Sequence, residues 1–451
     1  MSQKKRQGSS SGKSYGHQHM AASLAQAMQL ATGLHQSGKI AEAAQRYRTI
    51  LAVAPKHADA LHYLGVAQHQ LGQHADAANL IRQAVKLVPD YLDAHNNLGN
   101  VLKESGHMAE AEAEFRLVLA ARPDFIAALN NLGVVLVAQK RFAEAIPVYR
   151  QAISLKGDFA EAWHNLGNAL KKNGEIEEAL TAYRQAIFLA PYKTAAYYDL
   201  GRTLATFKRY DEALAVYREW QKKEPDNPVV AHMIAAYAGT DAPERASDAY
   251  LQKTFDSFAE SFDDVLAGLQ YRAPGLTGAL VAEMLGTPQA NLDVLDAGCG
   301  TGLCAPYLKP YARRLDGVDL SGGMLAKAQL RGSYDDLQEA ELCAWLQQHS
   351  AHWDAVVSTD TLIYFGALET VMQAASSALR PGGLLVFTLE EGGQEVSFHL
   401  QKHGRFCHGQ QYVRACLQGA GLQDIGIRQV TLRLEADLPV AGLLIAARKP
   451  A

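Results

Sequence analysis

Between about residues 24 and 230 the chain repeats itself every 34 residues. Leu64-Gly65, Leu98-Gly99, Leu132-Gly133, Leu166-Gly167 and Leu200-Gly201 mark the register. The same step links Ala77, Ala111, Ala145, Ala179 and Ala213, and the aromatics Tyr47, Phe115, Tyr149, Tyr183 and Tyr217. Prolines recur at Pro55, Pro89, Pro123, Pro191 and Pro225, with Gly157 in the vacant slot. A fixed period of this length means a stack of like units, none able to bury its apolar face alone. Leu-Gly sets a knob beside bare backbone, so a second helix can approach closely. Gly38, Gly72, Gly106 and Gly174 stand where the first helix of each pair must stop in a left-handed cap. Each proline ends the second helix by denying it a donor. The pattern predicts a solenoid of helix pairs over residues 21–230. Five repeats are clear, and a sixth, over 24–57, is degenerate at Leu30-Ala31.

This pattern resembles the tetratricopeptide repeat. The residues before each Leu-Gly are Tyr63, Asn97, Asn131, Asn165 and Asp199. In that family the inner face of the first helix lines a groove, so the resemblance implies a ladder of amides at Asn97, Asn131 and Asn165. An amide both donates to and accepts from a peptide backbone. Similar ladders occur in the repeats of the O-linked N-acetylglucosamine transferases, which bind extended polypeptide. A protein or peptide in the groove is therefore the expected partner. The plainer reading, Asn as a common residue ahead of Leu-Gly, stays open. Nothing resembling the glycosyltransferase domain follows.

A second constraint lies at Leu292–Leu303. An apolar run through Val294 and Leu295 ends at Asp296, and Gly298, Gly300 and Gly302 follow within a few positions. Strand, glycine turn and helix together make a ligand crevice at the carboxyl end of a sheet. A dinucleotide turn reads G-x-G-x-x-G. Here the spacing is G-x-G-x-G, and Leu303 comes next. A second apolar stretch, Leu315 and Val318, ends at Asp319. A carboxylate at the second strand's tip accepts both hydroxyl hydrogens of a ribose diol.

These residues resemble the first motif of the class I S-adenosylmethionine-dependent methyltransferases. The resemblance covers roughly residues 245–451 and implies a seven-stranded Rossmann-like sheet with helices on both faces. It implies S-adenosylmethionine as cofactor, held by Asp296, Gly298, Gly300, Gly302, Asp319 and Leu320. Met324 would pack on the adenine ring. Glu341 stands where the family has an Asp bonded to the adenine amino group, and the Leu342 N–H would meet a ring nitrogen. The segment Thr254–Asp263, with Phe255, Phe258 and Phe262 on one stripe, is similar to a lid over the cofactor; a helix packed on the sheet is the plainer reading.

The third strand is expected at 336–340, the fourth at 354–357 and the fifth at 384–389. A helix over 412–419 precedes an antiparallel pair at 425–434 and 440–448. The Asn/Asp-Pro-Pro-aromatic motif of amide-methylating relatives is missing after the fourth strand. Candidates for a base or a substrate-side group are Asp360, Tyr364, His399, His403 and His408. His408 and Arg405 sit in a Gly-Arg-Phe-Cys-His stretch that resembles related repeat-linked methyltransferases.

Length and composition set the outer bounds. A chain of 451 residues holds two or more domains. A formal net charge of −4 predicts no general nucleic-acid affinity. The five cysteines form no Cys-x-x-Cys pair, so neither a disulfide framework nor a metal site is expected, which fits a reducing cytoplasm. No apolar run reaches membrane-spanning length. Residues 1–20 are expected to be a disordered tail, 231–247 a capping helix and linker, and 248–451 the catalytic domain. Two alternatives to an enzyme with a peptide-recruiting solenoid remain. One is a repeat scaffold with an inactive methyltransferase-like domain, and the other is a dinucleotide-dependent oxidoreductase.

Overall fold

The computed structural model describes residues 11–239, 242–393, 396–435 and 438–451. The chain divides into two compact units, Met1–Thr203 and Leu204–Ala451. No helix of the described residues is long and apolar enough to cross a membrane.

The first unit is a run of packed helices: α1 (Ser11–Gln36), α2 (Ile40–Val53), α3 (Ala58–Gln70), α4 (His74–Leu87), α5 (Leu92–Glu104) and α6 (Met108–Ala121). It continues through α7 (Ile126–Ala138), α8 (Phe142–Leu155), α9 (Ala160–Asn173) and α10 (Ile176–Leu189), and the division falls inside α11 (Ala195–Thr206). The glycines of Leu-Gly do what the pattern requires. A Cβ on Gly65 would lie 2.5 Å from Ile81, and one on Gly133 would lie 2.5 Å from the Tyr149 ring. Gly99 and Gly167 meet Phe115 and Tyr183 in the same way, at 2.7 and 2.6 Å. Each bare backbone thus receives the large side chain sixteen residues on. The first-helix caps recur as well, with Gly72 and Gly106 at φ +79°. Two repeats place lysine there instead, Lys140 at φ +62° and Lys208 at φ +60°.

Of the residues expected as a tail, α1 takes in those from Ser11 on. Residues added to an existing helix each gain one hydrogen bond without a new nucleus, so the helix runs back toward the N-terminus. Residues 1–10 lie outside the described residues.

The second unit opens with α12 (Tyr210–Lys223) and α13 (Pro228–Ala238). They group with the sheet, although the sequence suggested a solenoid ending at residue 230. Side chains explain this. On α13, Ala235 and Ala236 pack with Phe398, Leu400 and Phe406, and His232 donates to the Gly404 carbonyl at 2.8 Å. The Lys402 ammonium donates to the Tyr237 carbonyl at 2.8 Å. After α14 (Asp248–Phe258), α15 (Phe262–Gly268) and α16 (Ala273–Leu285) come β1 (Leu292–Ala297), α17 (Ala305–Leu308) and β2 (Ala312–Asp319). Then follow α18 (Gly322–Arg331), β3 (Asp336–Glu339), α19 (Leu342–Gln348), β4 (Trp353–Ser358), α20 (Glu369–Ala378) and β5 (Leu379–Glu391). The chain ends with β6 (Phe398–Leu400), β7 (Phe406–His408), α21 (Gln410–Gly419), β8 (Gln423–Glu435) and β9 (Leu438–Arg448).

Strands β3-β2-β1-β4-β5 are parallel in that order, β9 pairs antiparallel with β5, and β8 with β9. These are the seven strands the resemblance implied. A hairpin of β6 and β7 is added, with β7 parallel to the end of β5 at Glu390 and Glu391. Leu295, Val356, Phe387 and Ile445 fill one core layer, and Val294, Ala355, Val357 and Val386 fill the other. Both faces are covered, as a parallel sheet demands.

Two substitutions test the repeat geometry in opposite directions. Gly133→Ala forces a methyl into the Tyr149 ring and should destabilise the solenoid by about 1–3 kcal/mol. Lys140→Gly relieves a left-handed residue and should stabilise it by about 1 kcal/mol. Urea melts followed by circular dichroism check both; equal midpoints for the two variants would contradict the packing.

Candidate active site

The site grows from the turn after β1. Gly298 takes φ +78°, and a Cβ there would fall 2.1 Å from the Thr361 hydroxyl. The Gly300 N–H donates to one oxygen of the Asp319 carboxylate at 2.8 Å, and the Ser321 N–H donates to the other at 2.9 Å. Burial pushes the Asp319 carboxyl upward, while these main-chain donors pull it back. Asp296 is buried at the tip of β1 and accepts from the Tyr334 hydroxyl at 2.7 Å. Burial raises its pKa to about 7 against that hydrogen bond.

These groups open on a pocket lined by both loops. Asp296, Gly298, Gly300, Asp319, Leu320, Met324, Glu341 and Leu342 all line it, as do Asp360 and Tyr364. Of the turn glycines, Gly302 does not. Its bare Cα faces the Tyr334 ring and the Arg331 stem, at 3.0 and 3.2 Å from a built Cβ. Glu341 reaches the wall by another route than expected. Its carboxylate caps α19, accepting from Cys343 and Ala344 N–H at 3.1 and 2.8 Å, and pairs with Arg245 at 2.7 Å.

The segment 248–268 closes one side. Phe255 and Phe262 line the pocket, and the Phe255 ring stands edge-on to Tyr364 at 5.4 Å. Two aspartates of the Thr254–Asp263 stretch, given no role of their own from the sequence, latch this segment down. Asp256 accepts from the Ser321 hydroxyl at 2.6 Å and the Gly323 N–H at 3.1 Å, at the start of α18. Asp263 accepts from the Thr301 hydroxyl at 2.6 Å and also pairs with Arg331. Each follows a phenylalanine of the apolar stripe, which is the signal that could have found them.

Beyond the end of β4 the wall becomes ionic. Asp360, at φ +53°, accepts from the Thr388 hydroxyl at 2.8 Å and from Arg433 at 3.0 Å. Burial drives its pKa upward, Arg433 opposes, and Asp360 in turn helps to raise the neighbouring Tyr271. Arg433 and Thr388 thus both donate to Asp360 at the pocket wall. Arg433 also pairs with Glu390 and Glu435, and Arg405 bridges the same two acids. His403 lies 3.3 Å from Glu390, whereas His399 is exposed on β6. Tyr364 keeps its proton, since burial lifts its pKa to about 12.

His408, proposed from its motif as a substrate-side group, is the clear correction. It is fully buried, lies outside the pocket lining, and donates from Nε2 to the Gly366 carbonyl at 3.0 Å. Its ring stacks on Tyr412, and burial lowers its pKa to about 4. Pairing of β7 with β5 turns that side chain into the core.

A methyltransferase-domain family model matches residues 295–387, from β1 to β5. Tetratricopeptide-repeat models match 28–92, 69–132, 135–174 and 164–228. The chain is a tetratricopeptide-repeat protein with a methyltransferase domain. That domain is similar to human methyltransferase-like protein 27, at 31% identity over 32% of this chain and 59% of the relative. It is also similar to the malonyl-[acyl-carrier protein] O-methyltransferase of Enterobacter lignolyticus, at 36% identity over 21% of this chain and 38% of the relative. The chain therefore spans less than two thirds of either relative. The crystal structure of YrrB, a TPR protein with an unusual peptide-binding site, aligns at 22% identity and TM-score 0.36, covering 42% of this chain and 97% of that one.

The buried histidines predict a pH dependence. His408 stays neutral in the fold, with its pKa lowered from 6.5 to about 4, while the unfolded chain binds that proton near pH 6.5. Its contribution is therefore whole above 6.5 and is lost as pH falls from there toward 4. Between about pH 7.5 and about pH 5, His408→Gln should lose less stability than the parent protein in urea titrations. Equal losses would mean that His408 protonates inside the fold.

Proposed function

We propose that the second unit is an S-adenosylmethionine-dependent methyltransferase and that the repeats recruit a protein or peptide. The observation that carries the cofactor reading is the Asp319 carboxylate in the pocket at the tip of β2. Its two oxygens accept the Gly300 and Ser321 N–H groups, one each, with the Leu320 N–H also turned on the carboxylate, and four lone-pair sites leave room for a ribose hydroxyl. The turn beside it fits such a ligand, since a Cβ on Gly300 would meet nothing within 4 Å. Asp296 suits the ammonium of an amino-acid tail, and buried Met324 with Leu320 and Leu342 supplies an apolar bed for adenine.

When bound, the cofactor supplies a methyl group on a good leaving group. This chain's own residues then have to place an acceptor in line and keep water away. Phe255, Phe262 and the latches at Asp256 and Asp263 serve the second task. Asp360, held by Arg433 and Thr388, positions the wall beside Tyr271 and Tyr364, where the acceptor would enter. The engaged Glu341 is the observation that favours the scaffold alternative, because its carboxylate is already shared among three donors.

In the repeats, Asn97, Asn131 and Asn165 occupy one register position and are all half-buried. Asn97 donates to His62 Nε2 at 2.8 Å, and Asn165 donates to Asn130 at 3.0 Å. Burial lowers His62 to a pKa of about 4, so it remains a neutral acceptor. These bonds fix the amides and support a preformed peptide surface.

Calorimetry with S-adenosylmethionine, S-adenosylhomocysteine and NADH decides first among enzyme, scaffold and oxidoreductase. Micromolar binding of the first two alone is the expected result, and no binding of any would favour the scaffold. Asp319→Ala should weaken cofactor binding at least tenfold, about 1.5–3 kcal/mol for a charged hydrogen-bond partner lost. An unchanged dissociation constant would remove Asp319 from the site. Replacing Asn97, Asn131 and Asn165 together by Ala should release peptide partners while leaving cofactor binding intact. Retention of the same partners in pulldowns would end the ladder reading.

A further inference from the structure

In the first unit, three repeat helices bring two imidazoles and a carboxylate together. His69 lies in the last turn of α3, His74 opens α4, and Glu104 closes α5. The Nδ1 atoms of the two histidines are 2.8 Å apart, and His69 Nε2 is 3.2 Å from a Glu104 carboxylate oxygen. Taking one ligand atom from each residue, all three atoms lie within 4.8 Å of one another. Ligands of a tetrahedral Zn²⁺ stand about 3.3 Å apart, so small side-chain rotations suffice to close the set.

The 34-residue register separates what is ordinary here from what is added. One repeat earlier, His35 Nε2 bonds Gln70 at 2.8 Å, the equivalent of His69 with Glu104. A polar contact between successive repeats at this level is thus part of the solenoid. The additions are a charged acceptor, Glu104 for Gln70, and a second imidazole, His74. Of the three, the His69 side chain is only 17% exposed and the Glu104 side chain 52%. One flank is therefore shielded while the other admits an ion with its water ligands. Two neutral imidazoles and one carboxylate form a donor set for borderline divalent ions, not for Mg²⁺ or Ca²⁺, which prefer oxygen.

We propose that His69, His74 and Glu104 bind a Zn²⁺-class divalent cation that staples the second repeat to the third. His69 and His74 flank the turn between α3 and α4, so the ion would also fix the angle within that pair. The site is independent of the methyltransferase pocket and of the cofactor reading.

The test uses the full-length chain stripped with a chelator, then titrated calorimetrically with ZnCl₂ and separately with CoCl₂. Binding of one ion with micromolar or tighter affinity is expected. Visible Co²⁺ absorption of tetrahedral character and a higher unfolding temperature for the solenoid should accompany it. His74→Ala, on a half-exposed side chain, should abolish the tight phase without altering the circular dichroism. Glu104→Gln should weaken binding by 10-fold or more. No binding tighter than about 100 µM in the parent protein would overturn the site, as would equal binding in His74→Ala, which would move the ion to other histidines. Magnesium and calcium chlorides serve as controls, and binding of either as tight as Zn²⁺ would refute the proposed donor chemistry.

Discussion

Two main-chain N–H groups, those of Gly300 and Ser321, converge on the Asp319 carboxylate and tie the loops leaving β1 and β2. That contact needs the parallel register in which Asp296 pairs with Gly317 and Ala297 with Val318. It also needs a turn tight enough to aim Gly300 back at the neighbouring strand. From it the rest of the site is assembled outward. Ser321 caps α18, accepting from Met324 N–H at 3.1 Å, and passes its own hydroxyl proton toward Asp256. Thr301, beside Gly300, holds Asp263. The closing segment is thus fastened to the same two loops that shape the pocket floor. A carboxylate left buried without those donors would be costly, which is why the loops and the acid stand or fall together.

The opposite wall is organised by charge. Arg433 is almost fully buried, and Asp360, Glu390 and Glu435 surround it. Arg405 adds a second cation between Glu390 and Glu435. Such a network is stable only when every member is paired, because an isolated charge in this setting has no water to fall back on. Its members come from the end of β4, from β5, the β6–β7 hairpin and β8, so the network exists only when the sheet has closed. The hairpin then reaches beyond the wall. Its Phe398, Leu400 and Phe406 receive α13, and Tyr250 stacks on His232 at 4.0 Å. Within the second unit, α13 and the hairpin share one core for that reason.

In the repeats a different constraint rules, that of space. Four glycines meet four large side chains sixteen positions later, and the approach leaves no room for a methyl group. Where the register offers lysine in place of glycine, at Lys140 and Lys208, the backbone still takes the left-handed turn, because the stacking of the next helix dictates it. The amides at Asn97 and Asn165 and the histidines at His69 and His74 stand outside these glycine contacts and bond to polar partners instead.

The sequence alone determined the repeat length, the helix caps, the positions of the first five strands along the chain and the acids at the tips of β1 and β2. Each rests on local chemistry, such as a glycine where φ is positive or an apolar run ending at a carboxylate. Tertiary structure alone decided which of the later polar residues reach the pocket. Asp360 and Tyr364 line it, but Asp360 is spoken for by Arg433, seventy-three positions on. His408 looked reactive in its Gly-Arg-Phe-Cys-His stretch, yet three residues of β7 pair it into the core. The unit boundary moved for the same reason, because α12 carries the repeat signature yet groups with the sheet, and α13 buries against a hairpin far along the chain. Periodicity reports which residues face inward in one element. It carries no information about which distant element will cover them, and that is fixed only when long-range pairs such as His232 with Gly404 form.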